Sequence, residues 1–504
     1  MLLLGIDLGT SSIKVSVLDA ATRECRCAVT YPPGEERDIT ARQPGWAEQR
    51  PAQWWADAQA AIQLANASGR YDPQAIGAIG IAYQMHGLVV VDKNQQVLRD
   101  SIIWCDSRAV PYGEAAFQAI GEARCLSHLL NSPGNFTAAK LAWVKENEPE
   151  TYARIDKIML PGDFLAMQLT GEITTSVSAL SEGTFWDFTG QELSGDVLNY
   201  FGFDRELFPK TQAVFAEHGQ LRPAVAATLG LRPGIPVSYK AGDQPNNALS
   251  LNVLHPGEVA ATAGTSGVIY AVTDQLLADR ASRVNAFAHV NHRPEAPRLG
   301  VLLCINGAGS LNRWTREVAG AGLSYPQMNA QAATVPAGSA GLLCLPFGNG
   351  AERMLNNRQV GAHFQHLDLN RHTAVHLFRA AQEGVAYAFR YGLDVLRENG
   401  LYPSIIRAGH ANLFRSEVFT QAFVNSTGVA VELHETDGSV GAALGAGIGA
   451  GAYAAPADAF ASQLARRLVE PDQDAATYED GYQRWLQQLQ VQLAARPDFP
   501  TPLP

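Results

Sequence analysis

Apolar residues run from Leu2 to Ile6, give way at Asp7 to a turn of small residues (Gly9, Thr10, Ser11, Ser12), and return from Ile13 to Leu18. Two apolar runs joined by a short small-residue turn predict a β-hairpin. The figure repeats from Glu258, where EVAATA leads into Gly264-Thr265-Ser266-Gly267 and an apolar run continues to Val272. With the turns aligned, DLGTS at 7–11 falls on TAGTS at 262–266, and only the first copy keeps the acid. Two such hairpins, roughly half a chain apart, predict two similar domains that face one ligand.

The same patterning predicts a third strand over 24–31, a helix entered at Pro51, strands over 76–83 and 88–91, and a strand in SIIWCDSR at 101–108. LPGDFLAMQLTGE at 160–172 reads as a helix capped by Asp163 and closed by Gly171. A short strand over 236–240 turns at Gly242 into a helix opened by Asp243, and a Gly-rich segment at 305–309 enters an amphipathic helix. SIIRAGHANLF at 404–414 reads as strand, turn and helix, and the small residues over 437–453 predict tight helix packing. Past Pro456 come a charged, Gln-rich helix, expected as a surface cap, and the Pro-rich end PDFPTPLP.

Composition narrows the class. A chain of 504 residues, 46% hydrophobic and 17% charged, has room for two large domains with substantial cores. Its net charge of −11 argues against nucleic acid or an anionic membrane as partner, but not against ATP, which needs only a few local donors and Mg2+. No apolar run reaches membrane-spanning length. The N-terminus goes straight into a strand, so no signal peptide is expected. Six cysteines without CxxC spacing read as reduced thiols in cytoplasm.

Candidate chemistry follows from the turns. The N–H groups and hydroxyls of a Gly-Thr-Ser turn wrap phosphate oxygens, and a carboxylate at its edge holds Mg2+ or the water shell of the ion. This singles out Thr10 and Ser11, Gly264 and Thr265 for phosphate, and Asp7 for the metal. Polar residues at the end of a strand between two buried runs are where α/β proteins place ligand contacts, which draws attention to Gln84-Met85-His86-Gly87, although a lone histidine is usually structural. Trp104 can present a flat face to a sugar. Asp243, at the junction of the two halves, is either a helix N-cap or a carboxylate that meets a substrate hydroxyl. Gly307 and Gly309 let backbone approach a nucleotide. His372 and His376 stand one helical turn apart, but with no evident third ligand they read as surface or packing histidines.

Together these motifs resemble the FGGY family of carbohydrate kinases. PGWAEQRPAQWW at 44–55, NFTAAKLAWVKENEP at 135–149 with Lys140 and Trp143, LLCLPFGNGAERM at 342–354 and a partial signature at 361–382 extend the likeness over nearly the whole chain. The resemblance implies an α/β fold of two actin/hexokinase-like (ribonuclease H-like) ATPase domains with a cleft between them. Residues 1–250 would carry the sugar pocket, the first phosphate hairpin and the catalytic acid. Residues 251–490 would carry the second hairpin and the adenosine site, and residues 491–504 a Pro-rich tail. It further implies Asp243 as catalytic base, Asp7 as the acid orienting Mg2+, and Met85, His86, Trp104 and Gln244 around the sugar. Gly309, Ala408, Gly409 and Asn412 would join the phosphate turns in binding ATP. The Met85-His86-Gly87 triplet is similar to that of the xylulose-phosphorylating branch, so the implied reaction is MgATP-dependent conversion of D-xylulose to D-xylulose 5-phosphate in the cytoplasm. The partners implied are the sugar, ATP and a second copy in a homodimer, with no nucleic acid or membrane. Two departures keep ribulose, glycerol, gluconate and similar substrates open: TTSVSALSEGTFWD has no acid before Glu182, and Gln244 stands where asparagine is usual. A catalytically silent sugar sensor of the same fold is the remaining alternative.

Overall fold

The computed structural model describes residues 1–34, 38–320, 322–461 and 463–495. The first hairpin forms strands β1 (Leu2–Leu8) and β2 (Ile13–Asp19), paired from Leu2↔Asp19 to Leu8↔Ile13. β3 (Cys25–Tyr31) continues this antiparallel side. On the other edge β4 (Ile76–Tyr83) and β5 (Val237–Gly242) run parallel to β1, giving the order β3-β2-β1-β4-β5. β1 is central and mostly buried, as its near-continuous apolar run requires.

The second sheet repeats the plan. β6 (Glu258–Ala263) and β7 (Gly267–Thr273) form the second hairpin. They are followed by β8 (Asn285–Ala288), β9 (Leu299–Ile305), β10 (Ile405–Gly409), β11 (Val431–His434) and β12 (Arg467–Val469), in the order β8-β9-β7-β6-β10-β11-β12. Its inner five strands, β9-β7-β6-β10-β11, match the first sheet in order and direction, with two antiparallel pairings and then two parallel ones. The five-residue repeat read in the sequence is thus the visible part of a repeated sheet.

Helices α1 (Pro51–Ala67), α2 (Thr137–Asn147), α3 (Pro161–Thr170), α4 (Val177–Glu182) and α5 (Asp243–Ser250) accompany the first sheet. α6 (Ala308–Ala319), α7 (Ala374–Glu398), α8 (Gly438–Gly449) and α9 (Ala475–Ala495) follow. The small-residue helix α8 packs on β1 and β4, although it lies late in the chain. A Cβ on Gly5 would collide with the Ser439 carbonyl, and one on Gly80 with the Ala442 carbonyl, so glycine on the strands lets the helix backbone rest directly on the sheet. The two halves of the chain are therefore joined through α8 as well as along the backbone. We propose the division near residue 250 for the sheets, with α8, from the second half of the chain, packed on the first sheet.

Three local expectations are corrected. Asp163 is the third residue of α3, not its cap; its carboxylate accepts the Leu160 N–H at 3.4 Å and holds buried Lys240 at 2.5 Å. SIIWCDSR yields only the two-residue strand Ser101–Ile102, because the chain then turns to place Trp104 outward and Asp106 inward. α9 is not a surface cap: Tyr478, Tyr482, Trp485 and Leu489 form a buried stripe, and Trp485 Nε1 donates to the Cys344 carbonyl at 2.8 Å. α9 runs to Ala495, so the expected tail begins as helix, and its remainder lies outside the described residues. No described helix is long and apolar enough to cross a membrane.

Candidate active site

Parallel strands end side by side, so the carboxyl ends of β1, β4 and β5 bring Asp7, the Gln84–His86 segment and Asp243 to one edge of the first sheet. Asp7 pairs across the hairpin with Lys14 and lies against Gly438, where a Cβ would collide with its Oδ2. Asp437, the N-cap of α8, accepts the Ser439 and Val440 N–H groups at 2.8 and 3.0 Å. Burial, then the charge of Asp437, raises Asp7 to about 6, while Lys14 pulls the other way. Asp243 is raised to about 7 by burial and then by the charge of Asp7; the Gln244 N–H and side chain oppose this by hydrogen-bonding to it. The two acids chosen from sequence therefore sense each other, and Gln244 orients the second of them.

The first turn is held by a polar network. The Gly9 N–H donates to the Ser12 carbonyl at 3.0 Å and closes it. Thr10 Oγ1 donates to Gln84 Oε1 at 3.2 Å and accepts from Trp104 Nε1 at 2.9 Å. Gln49 Nε2 donates to the Thr10 carbonyl at 2.8 Å and Gln84 Nε2 to Gln49 Oε1 at 2.9 Å. Ser11 stands at the exposed tip. Trp104, 44% exposed, thus ties the sugar-side candidates to the phosphate turn.

Around His86 an aromatic cluster forms from both halves of the chain. Its ring lies 4.7 Å from Phe136 and 5.4 Å from Phe287 of β8, while the Arg353 guanidinium sits 5.3 Å from the Phe136 ring. Met85 is buried against Gly242. The Glu182 carbonyl, 2.9 Å from Nδ1, can only accept, so Nδ1 carries the proton. Burial, and next the charge of Lys140, lowers His86 to about 3, so the ring is neutral and Nε2 is an acceptor.

The second turn gathers Gly264, Thr265, Gly309 and Asn412. The Gly309 N–H donates to the Gly264 carbonyl at 2.8 Å and the Ser310 N–H to that of Thr265 at 3.2 Å. A Cβ on Gly264 would lie 3.5 Å from Asn412 Nδ2, and Asn412 has φ 52°. The N–H of Gly309 is therefore spent on the turn, and its value is the close packing of α6 beneath it. Ala408 does not open onto a ligand: it is fully buried, paired with Ala261 and Leu433, so it shapes the strand below the site while Gly409 reaches the surface. The rings of His372 and His376 lie 5.3 Å apart, each with Nδ1 accepting a backbone N–H. Among the described residues no three His, Cys, Asp or Glu side chains converge to hold a metal.

Asp437, Phe287 and Arg353 escaped sequence reading because each reaches the site from a distant element. Gln49, inside PGWAEQRPAQWW, belongs to the two-residue strand Glu48–Gln49 that pairs with Ser101–Ile102 just before the Pro51 helix, a strand too short for alternation to reveal.

Known proteins give a consistent picture. The description "FGGY family of carbohydrate kinases, N-terminal domain" matches residues 2–250, and its C-terminal counterpart matches residues 259–455. The chain is 32% identical to a xylulose kinase of Klebsiella pneumoniae over 446 residues, 88% of each chain. It is 32% identical to one from Escherichia coli (strain K12) over 498 residues, 96% of this chain and 99% of the relative. The crystal structure of a xyloylose kinase from Brucella ovis superposes with a TM-score of 0.88 at 28% identity, covering 98% of this chain and 100% of that one. A xylulose kinase structure from Rhodospirillum rubrum gives 0.85 at 26%, covering 98% and 99%. With both sheets, both turns and the paired acids accounted for, the chain belongs to the FGGY family of ATP-using carbohydrate kinases, with the actin/hexokinase-like two-domain α/β fold.

Proposed function

We propose that this kinase transfers the γ-phosphoryl group of ATP to D-xylulose, giving D-xylulose 5-phosphate, with Asp243 as the base and Asp7 on the metal side. The observation that carries the reading is that Asp7 and Asp243 stand on the same edge of the first sheet, at the ends of β1 and β5 with β4 between them, where each has a raised proton affinity. The identity to relatives named xylulose kinase, over most of both chains, supports the choice of sugar.

Phosphoryl transfer needs positioning and charge stabilisation more than covalent chemistry. Asp243, near pKa 7, is matched to accept a proton from a sugar hydroxyl at neutral pH. Neutral His86 offers Nε2 to a second hydroxyl, beside Met85, Trp104 and Gln244. The turns at Thr10–Ser11 and Gly264–Thr265 hold the phosphates from two sides, with Gly409 and Asn412 toward the nucleoside. Asp7 and Asp437 form a local excess of negative charge that suits a divalent cation. One or two carboxylates, completed by water and nucleotide phosphates, are what Mg2+ usually takes from a protein. When bound, Mg2+ would offset charge on the transferring phosphoryl group. A silent sensor would have no use for the acid pair. The six cysteines, none joined in a disulfide, fit the cytoplasmic setting proposed for it.

The test is ADP release coupled to NADH oxidation, over D-xylulose, D-ribulose, L-rhamnulose, glycerol and D-gluconate. D-xylulose should give the highest kcat/KM; a higher value for any other compound overturns the choice of sugar.

A further inference from the structure

One residue of the sugar pocket is gripped by two buried charged side chains that have no assigned part in phosphoryl transfer. Glu182 ends α4 at 1% exposure, and its Oε1 accepts the His86 N–H at 3.3 Å. From α2, fully buried Lys140 donates Nζ to the His86 carbonyl at 2.8 Å. The ring is tied as well, through Nδ1–H to the Glu182 carbonyl.

His86 has reason to be held. Its φ of 62° lies in the left-handed region, which a side-chain-bearing residue keeps only when its surroundings impose it. Residues 76–83 run straight as β4, so the left-handed residue is what turns the ring toward Phe136 and Phe287. Glu182 also reaches the base. Its Oε2 is buried without a hydrogen-bond partner, and a Cβ on Gly242, the residue before Asp243, would lie 2.7 Å from it.

This arrangement is expensive. Burying an acid and an amine costs free energy unless they are well paired, and these two meet the N–H and the carbonyl of one residue rather than each other. Burial pushes Glu182 well up, with Asp243 and Asp163 adding to it, and lowers Lys140 to about 7. Neither shift breaks the grip: a neutral carboxyl still accepts through Oε1, and a neutral amine still donates. An apolar pair of similar volume would fill the space at lower cost but would leave both His86 peptide groups without partners.

We propose that Glu182 and Lys140 are positioning residues that set sugar affinity by clamping the two peptide groups that flank the His86 Cα, without touching the sugar. The proposal rests on reading His86 as a sugar contact. Removing either grip should let His86 relax from the left-handed conformation and should withdraw Nε2 from the sugar. The first turn is held through the side chains of Gln84 and Gln49.

The experiment pairs steady-state kinetics with amide hydrogen exchange on Glu182→Leu, Lys140→Met and Glu182→Gln. In the first two, KM for D-xylulose should rise roughly 5- to 100-fold, the loss expected for one buried hydrogen bond, with KM for ATP unchanged. Glu182→Gln keeps the acceptor and should restore sugar KM. The His86 amide should exchange slowly in wild type and fast in Glu182→Leu. An unchanged sugar KM in both apolar variants, or an equal rise in KM for ATP, overturns the clamp. Should an apolar variant not fold, the wild-type protein still decides: slow exchange at His86 supports the clamp, and exchange as fast as an open turn defeats it. A wild type that phosphorylates another sugar shifts the kinetic comparison to that sugar. One that phosphorylates none defeats the proposed function and leaves the clamp to the exchange measurement, which needs no turnover.

Discussion

At the scale of residues, the proposed chemistry depends on two carboxyls kept where their charge is costly. Asp243→Asn keeps the shape but removes the proton acceptor, so kcat should fall roughly 10²- to 10⁴-fold while calorimetry still detects sugar binding. Because Asp243 titrates near 7, wild-type kcat/KM for the sugar should climb as pH rises from 6 to 8. Stability should move the other way. The folded protein holds the proton on Asp243 up to about 7, whereas the unfolded chain releases it near the ordinary 3.8, so stability falls as pH rises through that window. Asp243→Asn should therefore raise Tm at pH 8 and leave it unchanged near pH 4; a lowered Tm at pH 8 would contradict the raised proton affinity. Asp7 was legible because it breaks an apolar strand at a turn. Its neighbours Asp437 and Gly438 were not, since nothing in a small-residue helix start says which strand end it will meet.

At the scale of elements, periodicity revealed what local order decides and missed what packing decides. Both hairpins, β4 and the α3 terminus at Gly171 stand where alternation and turn chemistry put them. α9 was misjudged because glutamines dilute its apolar stripe, yet Trp485 is fully buried and stacks on Tyr482 at 6.0 Å. Trp485→Ala should cost about 3–5 kcal/mol of stability, read from denaturant unfolding. A loss within experimental error would return α9 to the surface. The start of α8 gives a functional counterpart. Gly438→Ala places a methyl group on the Asp7 carboxylate, so it should raise the Mg2+ concentration needed for half-maximal rate and leave sugar KM unchanged. An unaltered Mg2+ dependence would separate Gly438 from the metal side.

At the scale of the whole molecule, the proposed sugar site takes His86 and Phe136 from the first half of the chain and Phe287 and Arg353 from the second. A site shared in this way would link sugar binding to the approach of the two sheets, and closure would keep water from competing for the phosphoryl group. Small-angle scattering should show compaction on adding sugar with a non-hydrolysable ATP analogue, and ATP hydrolysis without sugar should be slow. An unchanged radius of gyration at saturation would oppose closure. The repeat of the two sheets was readable from five residues, but the shared pocket was not, because Phe287 and Arg353 lie far in sequence from the strand ends they complete.

The most direct measurement is the single-turnover rate of phosphoryl transfer from ATP to D-xylulose, compared between wild type and Asp243→Asn with both substrates saturating. A burst of xylulose 5-phosphate in wild type, slowed roughly 10²- to 10⁴-fold in the variant, is the expected result. A variant that transfers at the wild-type rate would show that Asp243 is not the base, and a wild type that forms no sugar phosphate would show that D-xylulose is not the substrate.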